Sequence, residues 1–121
     1  MSENYPHHDQ DARHRFLRKL WPEMIDIWRN GSDNPAAKRA IAAGAAPADV
    51  AQLARAVAYE TVFSLLYYLN DDQDPDSDTL PHWHMIECSP DGKPTGERLQ
   101  GLYEDLLSYD PSGKEGSDLW R

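Results

Sequence analysis

Apolar residues recur every three or four positions along the first part of the chain, which is the spacing of one face of a helix. The first such stretch, residues 11–30, has its apolar positions at Phe16, Leu17, Leu20, Trp21, Met24, Ile25 and Trp28. Pro22 lies inside it and has no N–H to donate, so we expect the helix to kink or break near Trp21. The pair Asn30-Gly31 is typical of a helix C-terminus.

Two more helices are predicted between residues 34 and 69. Asn34 and Pro35 suit the N-cap and first position of a short alanine-rich helix over residues 36–43. A longer helix begins at Pro47 and runs to residue 69, and from residue 57 onward it is apolar nearly all round. Because a helix without a polar face must be covered on most sides, we expect this one to be central and buried.

The second half of the chain predicts a β-hairpin and a short helix. Residues 83–88 have the character of a strand, Ser-Pro-Asp-Gly at 89–92 is typical of a type I turn, and residues 93–99 supply the return strand. Leucines and tyrosines at helical spacing over residues 102–109 predict the helix. The expected fold is α+β and mainly helical, with N-terminal helices, a central buried helix, a short β-hairpin and a short C-terminal helix.

The chain has 121 residues, of which 40% are hydrophobic, and this suits one domain with its own core. We expect a flexible arm over residues 1–10 and a single domain over residues 11–121. The apolar runs are far shorter than the roughly 20 residues that cross a bilayer, and the N-terminus has no basic start or apolar core typical of a secretory signal. These features predict a cytoplasmic protein with no membrane partner, and the lone Cys88 excludes an internal disulfide.

The formal net charge of −9 is unevenly distributed. Residues 1–60 hold eight acids and eight bases, whereas residues 61–121 hold thirteen acids and four bases. A chain this acidic is a poor candidate for binding nucleic acid. Either the acids are a solvated loop that keeps the protein soluble, or they form an acidic face that attracts a basic protein partner over a long range. Five of them lie in one short stretch, at Asp71, Asp72, Asp74, Asp76 and Asp78.

Aromatic residues near the C-terminus suggest how such a face would bind. Tyr and Trp dominate binding hot spots, and here they stand close to acids in the sequence. The alternative is that the C-terminal tail simply packs against the body of the protein. Together with the five aspartates, the predicted partner-binding residues are Tyr103, Glu104, Asp105, Tyr109 and Trp120.

His82, His84 and Cys88 are the most reactive group of side chains in the sequence. On a strand they would point the same way, and imidazole and thiolate are soft ligands that suit zinc or copper. The spacing matches no established zinc motif, so a polar strand edge with a buried cysteine is the simpler interpretation. The alternating aspartates also resemble a calcium loop, but Ser77 and Trp83 replace the glycine and glutamate that an EF-hand needs. The sequence predicts no cofactor, no catalytic residue and no enzyme.

Four segments bear a resemblance to known proteins. Residues 16–22 (FLRKLWP), 57–63 (VAYETVF), 102–107 (LYEDLL) and 110–116 (DPSGKEG) resemble small acidic bacterial proteins of largely uncharacterised type, some of which are immunity proteins. An immunity protein neutralises a toxin made by the same cell. The resemblance implies a stoichiometric inhibitor that binds its toxin through an acidic surface.

The predicted function is therefore a non-enzymatic acidic protein that neutralises a basic toxin or nuclease. Two alternatives of other classes stay open. One is a phage-type inhibitor that imitates nucleic acid, such as an anti-CRISPR protein, whose carboxylates would stand in for phosphates. The other is a small metal or cysteine enzyme centred on His82, His84 and Cys88.

Overall fold

The fold of this chain is mainly helical in the residues that the computed structural model describes, which are 7–30, 34–70 and 83–121. Three α-helices form, α1 (His7–Leu17), α2 (Pro35–Ala42) and α3 (Pro47–Tyr68). A π-helical turn and a 3₁₀ segment, Trp21–Ile25 and Asp26–Asn30, connect α1 to the region of α2. Three short 3₁₀ segments follow near the C-terminus, at Leu102–Asp105, Leu107–Tyr109 and Ser117–Leu119.

The break predicted at Pro22 is confirmed. The α1 helix ends at Leu17, and the chain resumes as a π-helical turn in which Asp26 donates its N–H to the carbonyl of Trp21. Pro22 is the second residue of this turn, where its missing N–H breaks the α-helical bonding pattern. The turn points Trp21 and Ile25 into the core, where both are fully buried.

The two helix starts in the first half are also as predicted. The side-chain oxygen of Asn34 accepts hydrogen bonds from the N–H groups of Ala36 and Ala37, at 2.8 and 3.3 Å, and α3 begins at Pro47. At the N-terminus, α1 begins at His7, inside the predicted arm; residues 1–6 of that arm lie outside the described residues.

The predicted β-hairpin is wrong, because residues 83–99 form no strand. The turn is present, closed by a 2.8 Å hydrogen bond between the first and fourth residues of 89–92. Around it there are two isolated antiparallel bridges, Met85–Leu99 and Cys88–Pro94. Two residues separate the bridges on one side but four on the other, so they cannot be rungs of one ladder, and Pro94 has no N–H with which to extend it. The described chain is therefore mainly helical and not α+β.

The predicted C-terminal helix over residues 102–109 is replaced by two 3₁₀ segments. Its N–H groups donate to the carbonyl three residues back, as Glu104 does to Gly101 at 3.0 Å and Tyr109 to Leu106 at 3.2 Å. The segment is short and confined between Gly101, which has a φ of 66°, and Pro111. Tighter i→i+3 turns are common in such short pieces.

The prediction that α3 is central and buried on most sides is wrong in its second part. Only Arg55, Tyr59 and Leu66 of this helix are buried, while Leu53 and Val57 are 66% and 53% exposed. The core covers one side of α3, and α2 is too short and too rich in alanine to cover the opposite side. Within the described residues, no helix has the length and apolar character that crossing a membrane requires.

The core lies between the first helical segments, α3 and the C-terminal segments. Trp21 is at its centre, and its indole N–H donates a 2.8 Å hydrogen bond to the carbonyl of Leu106. This bond satisfies a polar group that would be costly to bury alone. The other large buried side chains around it are Leu17, Leu20, Ile25, Tyr59, Leu66, Leu99, Leu102, Leu106 and Leu119.

Candidate functional site

One flank of α3 has a continuous row of aromatic side chains, which we call the aromatic row. On α3 the row follows the i, i+4 spacing of one helix face, so its side chains lie one above the next. The centroids of adjacent rings are 4.9 to 6.1 Å apart along the row, a range typical of favourable ring contacts. Its members, in spatial order, are Trp120, Tyr59, Phe63, Tyr103 and Tyr67.

The two ends of the aromatic row reach solvent while its middle is anchored in the core. Trp120 is 56% exposed and Tyr67 is 41% exposed, whereas Tyr59 is buried against Trp21. Burial, and then the charge of Glu60, raise the pKa of the Tyr59 hydroxyl above its usual 10.0. The row therefore presents rigid aromatic edges on a fixed base, and side chains already held in place lose little entropy on binding.

Two exposed carboxylates are close to members of the row in the sequence. Glu60 precedes Phe63 by three residues on α3, and Glu104 directly follows Tyr103. Neither carboxylate forms an ion pair with any residue in the described part of the chain. Aromatic edges beside unpaired carboxylates form a surface suited to Arg and Lys side chains, which stack on rings and bind carboxylates.

The C-terminal end of the row is fixed to α3 by hydrogen bonds. Gln52 donates from its amide nitrogen to the carbonyls of Asp118 and Leu119, each at 3.2 Å. Leu119 is buried in the core, and the next residue, Trp120, lies edge-on against Tyr59 at 77°. The tail is thus docked and still leaves more than half of the Trp120 side chain accessible.

A buried arginine ties this tail to the first half of the chain. Arg55 is only 4% exposed, and its guanidinium donates to Asp26 at 2.8 Å and to Asp118 at 3.4 Å. Removing a cation from water costs free energy, and the attraction of two nearby carboxylates offsets part of that cost. A buried arginine without such partners would destabilise the fold. The network connects the 3₁₀ segment at Asp26–Asn30, α3 and the tail that presents Trp120.

A buried acid shapes the chain just before the tail. Burial alone would raise the pKa of Asp110, but N–H groups of Gly116 and Ser112, the Ser112 hydroxyl and the charge of Arg55 together lower it. The Gly116 N–H donates to this carboxylate at 2.9 Å. Asp110 thereby closes the loop that leads from the 3₁₀ segments to Trp120.

The predicted partner-binding residues divide into three groups. Tyr103 and Trp120 lie in the aromatic row, with Glu104 beside it. Asp105 and Tyr109 instead face α1, where Asp105 forms an ion pair with Arg13 and the Tyr109 hydroxyl lies 3.3 Å from the His14 ring. The third group lies outside the described residues and stays a prediction: Asp71, Asp72, Asp74, Asp76 and Asp78.

The metal and cysteine candidates are only partly within the described residues. His82 lies outside them. Nη1 of Arg98 is 3.2 Å from Nε2 of His84, and the exposed Cys88 thiol donates to the carbonyl of Ile86 at 3.8 Å. Among the side chains described, no group of three or more His, Cys, Asp or Glu has an arrangement that could hold a metal ion.

Three members of the aromatic row were not predicted as a group from the sequence. Tyr59, Phe63 and Tyr67 follow one another at i, i+4 and i+8. This spacing places three aromatic side chains on one face of the predicted helix, so the group could have been predicted from the sequence. Arg55 was also detectable as the one charged residue within the stretch 50–59.

Comparisons of this chain with protein-family models, with characterised proteins and with solved structures found no match. The resemblance to immunity proteins therefore stays a prediction, and so do its two alternatives. The aromatic row and the carboxylates beside it are the strongest structural indication of a binding surface in the described residues.

Proposed function

We propose that this protein binds a basic protein partner in a stoichiometric complex and thereby inhibits it, as an immunity protein inhibits a toxin or nuclease. The proposal rests on one observation: the aromatic row has exposed ends at Trp120 and Tyr67, and two of its rings, Tyr59 and Tyr103, are each followed in the sequence by an exposed glutamate, Glu60 and Glu104. Anchored aromatic residues with a charged rim are typical of interface hot spots.

The charge distribution of the chain supports a basic partner. All of the net charge of −9 belongs to residues 61–121, the half of the chain that supplies four-fifths of the aromatic row. In the sequence, Asp71 follows Tyr67 by only four residues. A basic partner would be attracted by these acids over long range and then held by the aromatic edges.

Capture at two salt concentrations tests the proposal. The tagged full-length chain is incubated with extract of the cells that encode it, at about 50 mM and 500 mM NaCl, and retained proteins are identified by mass spectrometry. We expect one basic protein that is lost at high salt. The purified pair should then form a 1:1 complex in which the partner's activity falls to zero at one equivalent.

Variants of the aromatic row locate the binding surface. Trp120→Ala and Tyr67→Ala should each weaken the complex by about 30-fold, the loss typical of a hot-spot residue. Trp83→Ala is the matched control, because Trp83 is as exposed as Trp120 and makes no ring contact with the row. A partner that binds the row variants as tightly as the wild type, or a protein that inhibits nothing, would refute the proposal.

A further inference from the structure

The flank of α3 opposite the aromatic row forms an apolar groove with α2 and the 3₁₀ segment before it, which we call the α2–α3 groove. Its volume is about 840 Å³, and clefts that bind small molecules have volumes of roughly 300–1,000 Å³. Fourteen of the eighteen residues that line it are apolar. A cleft of this size with an apolar lining and few polar groups is typical of a small-molecule site.

Small side chains explain why the groove is open. On α2, Ala37, Ala40 and Ile41 are partly buried and line the groove together with residues of α3. Packed elements normally leave few voids larger than a water molecule, but a methyl group is too short to fill the space between these two helices. Apolar surface that a ligand could cover is therefore left in the groove. The alanines that line it are Ala36, Ala37, Ala40, Ala51, Ala54 and Ala58.

The size of the groove favours a small ligand over a protein partner. The surface that lines it is far smaller than the roughly 800 Å² that each partner buries in a standard protein interface. A drug-sized ligand in a cleft is enclosed on several sides and buries about 70–90% of its own surface. Such a ligand would cover Leu53 and Val57, two aliphatic lining residues that are more than half exposed.

The polar groups of the groove are concentrated in one short stretch of the chain. Among the described residues, Arg29 is the only charged one that lines the groove, and Asn30 and Asn34 line it as well. The side-chain oxygen of Asn34 caps α2, so the group left for a ligand is its NH₂ donor. A guanidinium and an amide NH₂ both donate hydrogen bonds, and they therefore suit a ligand whose polar head accepts them.

The guanidinium of Arg29 is held in position and keeps donors for a ligand. Its Nη2 atom is 3.3 Å from Asp26 and 3.9 Å from Asp118, and neither carboxylate lines the groove. Within the described part of the chain, the hydrogen bond of this side chain uses Nη2 and leaves Nε and Nη1 available. The charges of Arg29 and Arg55 balance those of the two aspartates, so this network adds no net repulsion of an anion.

We propose that the α2–α3 groove binds an aliphatic carboxylate, which in chemical terms is a fatty acid. Its hydrocarbon chain lies between α2 and α3, and its carboxylate accepts hydrogen bonds from Arg29 and Asn34. Each CH₂ group removed from water should tighten binding about fourfold. The hydrogen bonds to the carboxylate are charge-assisted and fix the orientation of the chain. This site is separate from the aromatic row and does not depend on the proposed inhibitor function.

Isothermal titration calorimetry of the full-length chain with octanoate, decanoate and dodecanoate tests the proposal. We expect one site per chain and an affinity that rises about 15-fold with each pair of added CH₂ groups. Decyltrimethylammonium has the same chain as decanoate with a cationic head, and it should bind at least about tenfold more weakly. A wild-type chain that does not bind dodecanoate, or that binds the cation as tightly as decanoate, would overturn the proposal.

A variant of Arg29 tests the role of the carboxylate. Arg29→Gln should weaken decanoate binding about tenfold and leave the binding of decan-1-ol unchanged, because the alcohol depends on the apolar lining. Arg18→Gln is the matched control, since Arg18 is exposed and does not line the groove. Equal losses of decanoate in the two variants, or equal losses of acid and alcohol in Arg29→Gln, would show that Arg29 does not bind the carboxylate.

A variant that fills the groove tests where the hydrocarbon chain lies. Ala54→Phe should abolish the binding of both decanoate and decan-1-ol, because the larger side chain takes up the space between α2 and α3. Ala48→Phe, at an exposed position of α3 outside the groove, should bind both ligands as the wild type does. The far-UV circular dichroism of both variants should match that of the wild type. Wild-type affinity in Ala54→Phe would place the ligand elsewhere and overturn the proposal.

Discussion

The carboxylate of Glu87, in the loop region of the second half, accepts hydrogen bonds from two residues, Arg15 of α1 and Thr95. Arg15 donates to both oxygens of this carboxylate, at 2.5 and 2.7 Å, and the Thr95 hydroxyl donates as well. The hydrogen bond from Arg15 is the largest cause, followed by that from Thr95, and together they lower the pKa of Glu87 from 4.5 to about 2. The exposed position of the pair limits how much it stabilises the fold at high salt.

This lowered pKa predicts a pH-dependent effect. Since the pKa is lower in the folded chain than in the unfolded chain, Glu87 contributes stability above about pH 4.5 that is lost as the pH falls towards 2. Glu87→Gln should therefore lower the Tm at pH 7, and the gap to the wild type should close between about pH 4.5 and 2. Thermal unfolding followed by circular dichroism measures this. Arg15→Gln should give the same trend, and a gap that is constant with pH would contradict the assignment.

Gly116 occupies a position where a side chain does not fit. Its φ is +77°, and an added Cβ would lie 2.7 Å from the Leu107 side chain. Gly113 has nearly the same φ, +78°, but no atom within 4 Å of an added Cβ. Substitutions at these two positions therefore allow the cost of backbone strain to be distinguished from the cost of a steric clash.

We expect Gly113→Ala to lower the free energy of unfolding by about 1–2 kcal/mol, because of the left-handed backbone alone. Gly116→Ala should lower it by about 2–5 kcal/mol, because overpacking adds about 1–3 kcal/mol. Urea unfolding of the two variants measures the difference. Equal losses would mean that Leu107 moves aside without cost.

At the scale of elements, the sequence located the helices better than it located their buried faces. Pro47, the N-cap Asn34 and the break at Pro22 are local signals, and each has the predicted effect. The covering of α3 is not local, because it depends on what α2 and the C-terminal segments can bring against it. An apolar surface all round a helix predicts contacts on all sides, and here the side that carries Leu53 and Val57 stays exposed.

The failed hairpin has the same explanation. The turn at residues 89–92 depends on four consecutive residues and forms as predicted. A ladder depends on matched lengths on both sides, and the extra residues between Pro94 and Leu99 prevent it. The candidate site is similar: Tyr103, Glu104 and Trp120 were predicted from composition, but only folding places Tyr103 and Trp120 against Tyr59, Phe63 and Tyr67.

At the scale of the whole molecule, the charge and the aromatic row belong to the same half of the chain. Residues 61–121 carry the whole net charge of −9 and supply four of the five rings of the row. A complex with a basic partner therefore brings opposite charges together. Salt screens this attraction, with a screening length of about 10 Å at 0.1 M.

Added salt should therefore weaken the complex with a basic partner. Between about 20 and 500 mM NaCl, the dissociation constant of this complex should rise because the attraction between the two chains is screened. Sedimentation velocity of the purified pair across this range measures the effect. Changing the five aspartates at 71–78 to Asn reduces the net charge from −9 to −4, so this variant should bind the partner more weakly at low salt and respond less to added salt. A dissociation constant that stays the same across this range would mean that the acids of residues 61–121 do not attract the partner.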